Sequence, residues 1–133
     1  MKANELMIGD WVKFPIGNER IIDLPYIMGK GICASFAASA TLFPVEVEKL
    51  EPTPLTPEIL EKNGFVEIND DEKWYKMQLL EENDFVGLEK FEDYGFVFAS
   101  VVFPNLINHL SINYVHELQH ALKLCGIEKT IEL

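Results

Sequence analysis

Leu55-Thr56-Pro57-Glu58-Ile59-Leu60-Glu61-Lys62-Asn63-Gly64-Phe65 spells a short helix with both of its ends, set between two strand-rich stretches. Thr56 is placed to cap the first turn. Pro57 suits the first helical position, where a missing N–H has no partner to lose, and Glu58 sits at the positive end of the helix dipole. Leu55 and Leu60 occupy the two positions of a hydrophobic staple. Asn63-Gly64 stops the helix, with Gly64 free to take the left-handed backbone. A capped helix between strands predicts an α+β domain.

Upstream, Leu6 to Leu50 reads as short strands divided by turns. Gly9-Asp10 leads into Trp11 to Phe14, Pro15-Ile16-Gly17-Asn18 is a turn cluster, and Arg20 to Leu24 is a second strand. Ile32 to Phe36 and Thr41 to Lys49 make a further pair. In the latter, Val45, Val47 and Lys49 alternate with Glu46 and Glu48, which predicts one buried and one wet face. Such strands suit a small, strongly bent barrel of the SH3-like kind, a fold-level analogy that carries no activity. The barrel lobe is expected over residues 1–52, because the proline-rich Glu51-Pro52-Thr53-Pro54 cannot continue a central strand. Residues 53–133 then form an α+β lobe, the two together making one compact unit.

In that second lobe, Phe65 to Ile68 and Trp74 to Leu79 read as strands around an Asn69-Asp70-Asp71 turn. Phe85 to Phe91 and Tyr94 to Phe103 read as a hairpin turning near Glu92-Asp93. Pro104-Asn105 breaks the pattern, and an amphipathic helix runs from about Asn113 to Cys125, where Gly126 supplies the stop.

The chain has 133 residues, 48% of them hydrophobic, enough for a folded globule. With 22 acidic against 11 basic side chains its net charge is −11, which repels phosphate backbones and disfavours direct nucleic-acid binding. The acids cluster at Glu46, Glu48 and Glu51, at Asp70 to Glu72, at Glu81, Glu82 and Asp84, and at Glu89, Glu92 and Asp93. These read as solvated strand edges and turns; the sharper reading is a surface for a basic partner, or mimicry of nucleic-acid charge. Gly31 to Val45, the longest weakly charged stretch, is too short to span a bilayer, and Met1 to Leu6 lacks the apolar core of a signal peptide. Cys33 and Cys125 show no metal-ligand spacing, so reduced thiols are the simpler reading. A cytoplasmic protein is expected.

His116-Glu117-Leu118-Gln119-His120 matches the H-E-x-x-H pattern of zinc hydrolases. On a helix, histidines four apart share a face, so His116 and His120 would ligate zinc while Glu117 served as general base. The surroundings argue otherwise. Ala121 to Leu133 offers no third histidine, and the only other one, His109, lies upstream on a strand or turn. Lys123 and Gly126 stand where the extended zinc pattern needs its glycine and last ligand. Val115, Leu118, Ala121, Leu122 and Cys125 form an apolar stripe, which leaves His116 and His120 on the opposite, solvated face. No metal or other cofactor is expected. Cys33 and Cys125 read as core thiols, and the aromatic residues as core, except that Trp11 and Tyr26 are candidates for an exposed peptide-binding groove.

Three blocks carry a resemblance. Leu6-Met7-Ile8-Gly9-Asp10-Trp11-Val12, Pro54 to Leu60 with Asn63-Gly64-Phe65, and Tyr114 to Gln119 resemble, in the same order, an uncharacterised group of small gut-bacterial proteins. That group has a "LRIGNxV"-type start, a "PIPLTEEiLlkxGF"-type middle and a "YVHQLQN"-type terminal helix. The resemblance spans nearly the full chain and implies a shared fold without an assigned activity. It also implies that the zinc pattern is particular to this sequence, since the group has Gln in place of Glu117 and Asn in place of His120. The expected role is a non-catalytic accessory or protein-interaction module with another protein as partner. The alternatives are a zinc-dependent peptidase and an acidic mimic that binds a basic or nucleic-acid-binding protein.

Overall fold

The two strand-rich stretches form two antiparallel sheets, one on either side of Thr53-Pro54, and with two helices they make an α+β fold. The computed structural model describes residues 1–14, 17–36, 44–69, 74–78, 85–92, 95–102 and 105–133. They divide into two compact units, Met1–Thr53 and Pro54–Leu133.

The first unit contains strands β1 (Trp11–Phe14), β2 (Gly17–Asp23), β3 (Tyr26–Ile27), β4 (Gly31–Phe36), β5 (Val45–Glu46) and β6 (Glu51–Pro52), with 3-10 turns at Ala3–Glu5 and Val47–Lys49. Their order is β3-β4-β2-β1-β6, and β5 also pairs with β4. The strands also follow the path β6-β1-β2-β4-β5, and the 3-10 turn at Val47–Lys49 lies between β5 and β6 in the chain. Among the described residues no pairing joins β6 to β3 or β5. A register shift between Ile21 and Asp23 marks an irregularity in β2, where a strand can bend. Pro52 is tolerated because β6 is an edge strand, set against β1 with Val12 opposite Pro52. The Thr53 hydroxyl, buried just beyond it, bonds the Asn18 amide oxygen of β2 at 3.0 Å. The Gly9-Asp10 turn is held by the buried Asp10 carboxylate, which accepts from the Met7 N–H at 2.7 Å. Leu6, Val12, Ile21, Ala34, Val47 and Leu50 form the core of this unit.

The strand predicted over Thr41 to Lys49 is shorter than expected. Residues 41–43 lie outside the described residues, β5 spans only Val45–Glu46, and Val47 begins a 3-10 turn. The next buried residue after Val47 is therefore Leu50 and not Lys49, because three residues complete a 3-10 turn where two complete a strand repeat. Pro15 and Ile16 of the predicted turn also lie outside the described residues, while Gly17 and Asn18 open β2.

The second unit contains α1 (Pro57–Lys62), β7 (Val66–Asn69), β8 (Trp74–Gln78), β9 (Phe85–Phe91), β10 (Gly95–Val102), β11 (Asn105–Ile112) and α2 (Val115–Leu124). Its sheet is a meander, β11-β10-β9-β8-β7, in which each strand pairs with its neighbour in sequence. The predicted Asn69-Asp70-Asp71 and Glu92-Asp93 turns fall partly outside the described residues, as do the acids Asp70 to Glu72, Glu81, Glu82, Asp84 and Asp93. Where a strand or turn is expected at His109, the chain from Asn105 to Ile112 is a full strand that pairs with β10, with a register shift between Phe98 and Ser100.

The helix α1 follows its sequence signals. The Thr56 hydroxyl accepts from the Ile59 N–H at 3.3 Å. At the other end, Phe65 N–H donates to the Leu60 carbonyl at 3.0 Å and Gly64 N–H to that of Glu61 at 3.2 Å. This Schellman closure needs the left-handed backbone that Gly64 supplies at φ 88°. The helix α2 ends in the same way, with Ile127 N–H on the Leu122 carbonyl at 2.9 Å and Gly126 N–H on that of Lys123 at 3.0 Å. Leu60, Phe65, Leu88, Phe98, Leu118 and Leu122 are fully buried in this unit. Each such side chain contributes about 1.5–3 kcal/mol of transfer free energy. Ile131, beyond α2, is fully buried as well, and Asn63 holds the chain next to it: its amide oxygen accepts from the Glu132 N–H at 2.8 Å and its Nδ2 donates to the Glu132 carbonyl at 2.7 Å. No helix among the described residues is long and apolar enough to cross a membrane.

Candidate functional site

The H-E-x-x-H stretch lies at the very start of α2. Tyr114 is the N-cap, His116 the second helical residue and Glu117 the third. That position decides what the Glu117 carboxylate does. Its Oε2 accepts from the Asn113 N–H at 2.7 Å and the Tyr114 N–H at 3.1 Å. Glu117 thus satisfies main-chain donors at the head of the helix, as the acidic residue of a capping box does. A general base needs an acceptor oxygen for a bound water, and Oε2 serves these two N–H groups instead.

His116 is not on a solvated face. It is 5% exposed, stacked on Tyr114 with ring centroids 5.9 Å apart and planes at 12°. The partly buried His120 meets it edge-on, at 5.7 Å and 78°. The sequence reading placed both histidines opposite the apolar stripe. His116 departs from that because the stacked Tyr114 and the rest of the unit cover the first turn of α2, which a single-helix projection cannot register. His109 falls on β11. Among the described residues no group of three or more His, Cys, Asp or Glu side chains is arranged to hold a metal ion.

The other candidates fall in different places. Cys33 and Cys125 are buried free thiols. Trp11 is partly buried on β1, with the Arg20 guanidinium 5.8 Å from its ring centre, a cation–π contact between directly paired residues. Tyr26 stands on β3, and β4 and β2 lie between it and β1 in the sheet order, so the sheet does not set the two aromatics side by side.

Tyr26 belongs instead to an apolar surface that the sequence reading did not assemble. It is 75% exposed, and its paired residue Ile32 is exposed on the same face of the β3–β4 hairpin. Met28, in the connecting turn, is 92% exposed. A groove of about 230 Å³ adjoins the hairpin, lined by Ile32, Ala3 and Val47 with Lys30, Glu46 and Glu48 around them. The signal in the sequence was Tyr26-Ile27-Met28, three large side chains running into a Gly-Lys-Gly turn.

In the second unit, β7 ends the sheet and exposes Val66 and Ile68, at 63% and 58%. Glu67 lies between them, directly paired with Tyr75 of β8. The Tyr75 phenol is pushed above its ordinary pKa by burial, and further by the negative charges of Glu67, Glu61 and Glu58.

No family model, curated protein or solved structure matches this chain.

Proposed function

We propose that the protein is a non-catalytic accessory module that binds another protein through the β3–β4 hairpin of its first unit. The observation that carries this reading is the exposure of Tyr26, Met28 and Ile32 on one small hairpin beside a groove. Large apolar side chains grouped in water are the usual mark of a surface that another molecule covers, and aromatic and methionine side chains are enriched where proteins meet. The net charge of −11 supports a protein partner over nucleic acid. The capping role of Glu117 supports a binding module over a zinc peptidase, since its Oε2 already serves two main-chain N–H groups. We place the module in the cytoplasm of a gut bacterium, a reading that its resemblance to gut-bacterial proteins supports.

A photo-reactive amino acid at position 28 tests the reading. It is expected to link the protein to a partner in an extract of its own cell, and Tyr26→Ser with Ile32→Ser should abolish the link while leaving the urea midpoint unchanged. A link that survives both substitutions in the folded variant would reject the hairpin as the binding surface.

A further inference from the structure

We infer that the free edge of β7 accepts an extended basic segment of a second protein as an added strand. The inference stands apart from the hairpin surface, which lies in the other unit. β7 is the last strand of its sheet, so the main-chain groups along one side of Val66–Asn69 face no strand among the described residues. Edges of this kind are normally blunted by charge or covered, because they template further pairing. Here Val66 and Ile68 are exposed with Glu67 the single charge between them, and a register shift between Glu67 and Asn69 leaves Val66 and Glu67 as the regular part of the edge.

The pleat dictates what an added strand must carry. The residue facing Val66 falls on the same side as Val66 and should be apolar and β-branched. The residue facing Glu67 falls on the other side, the side of Tyr75 and α1. There it meets the charges of Glu67, Glu61 and Glu58, all three of which act on the Tyr75 phenol. A lysine or arginine at that position is attracted and an acidic residue repelled. The field extends beyond these three: fifteen of the 22 acidic side chains and six of the 11 basic ones belong to residues 54–133, a net charge of −9 out of −11. The same charges disfavour a second copy of this chain, since pairing β7 with itself would bring two such acidic sets together. The occupant is therefore a foreign strand with an apolar residue opposite Val66 and a basic one opposite Glu67.

The test uses the full chain, labelled with nitrogen-15, and two capped pentapeptides, Thr-Val-Lys-Val-Thr and Thr-Val-Glu-Val-Thr. The lysine peptide is expected to shift the amide signals of Val66 to Asn69 and to bind at least about tenfold more tightly than the glutamate peptide at low salt, the gap narrowing at high salt. Glu67→Lys, a change at an exposed position, should reverse the order of the two peptides, and Glu61→Lys should weaken the lysine peptide. Equal binding of the two peptides, shifts confined to other strands, or an unchanged order in Glu67→Lys would overturn the inference. So would concentration-dependent shifts of the β7 signals without peptide, which would assign the edge to a second copy.

Discussion

Asn63 and Glu132, 69 residues apart, pair through the side chain of one and both main-chain groups of the other. The Asn63 amide also donates to the Ile59 carbonyl at 2.7 Å, so one buried side chain finishes α1 and fastens the chain that carries Ile131 into the core. Asn63→Ala leaves these groups without partners and is expected to lower stability by about 2 kcal/mol. Asn63→Asp should cost at least as much, because its carboxylate has no N–H to offer the two carbonyls. Urea unfolding of both variants checks this, and no loss in either would mean that the amide does not hold the tail.

The caps of α1 are local and separable. Thr56→Ala should cost about 1 kcal/mol through loss of the bond to the Ile59 N–H. Gly64→Ala should cost about 1 kcal/mol or more, since alanine is strained at φ 88°. Combined, the two losses should add to within about 0.5 kcal/mol if the two ends act independently, which a denaturation series on the double variant measures.

In α2 the order of effects separates a packed helix from a metal site. Leu118→Ala and Leu122→Ala, at fully buried positions, should each cost about 2–5 kcal/mol. Glu117→Ala should cost about 1 kcal/mol as a lost cap, and the buried His116→Ala about 1–2 kcal/mol, whereas His120→Ala should stay below about 0.5 kcal/mol. A chelator should leave the wild-type unfolding midpoint where it is. A midpoint that drops with chelator and returns with zinc would instead show that metal binding is part of folding.

Two groups make stability depend on pH in opposite directions. The Glu58 carboxyl is held below its ordinary pKa by its own main-chain N–H and by the Thr56 hydroxyl, so its contribution is present above the unfolded carboxylate value and lost as pH falls through the folded one. The stability gap between wild type and Glu58→Gln should thus be widest near neutrality and close in acid. The Tyr75 phenol is raised above 10.0 by burial first and by the neighbouring glutamates second. Its contribution is present below the unfolded value and lost as pH rises through the folded one. Tyr75→Phe should remove that alkaline loss, which unfolding curves on either side of about pH 10 would show.

What was legible in the sequence was what neighbouring residues decide among themselves. Thr56, Pro57 and Gly64 specify both ends of α1 within eleven residues, and the structure has the cap bond and the left-handed glycine where they were expected. The strand β11 was legible only as strand or turn at His109, because the asparagines on either side of Leu106-Ile107, after a proline, weaken the strand signal and pairing with β10 fixes the conformation. The burial of His116 was hidden for a related reason: a helical projection knows the helix axis but not what packs over its first turn. The tether from Asn63 to Glu132 joins residues that no local pattern connects. The apolar hairpin at Tyr26 was half visible, since its residues could be named but their grouping depends on the pairing of Tyr26 with Ile32.

A pattern of letters carries no information on where along a helix it falls. In this chain the glutamate of H-E-x-x-H is the third helical residue, and at that address its Oε2 closes a hydrogen-bonded loop with the main chain. The same five letters one or two turns further on would leave the carboxylate unclaimed. Counting residues from the helix start to the glutamate is therefore a test that any other chain with this pattern can be given, and it asks for one backbone trace and no assay.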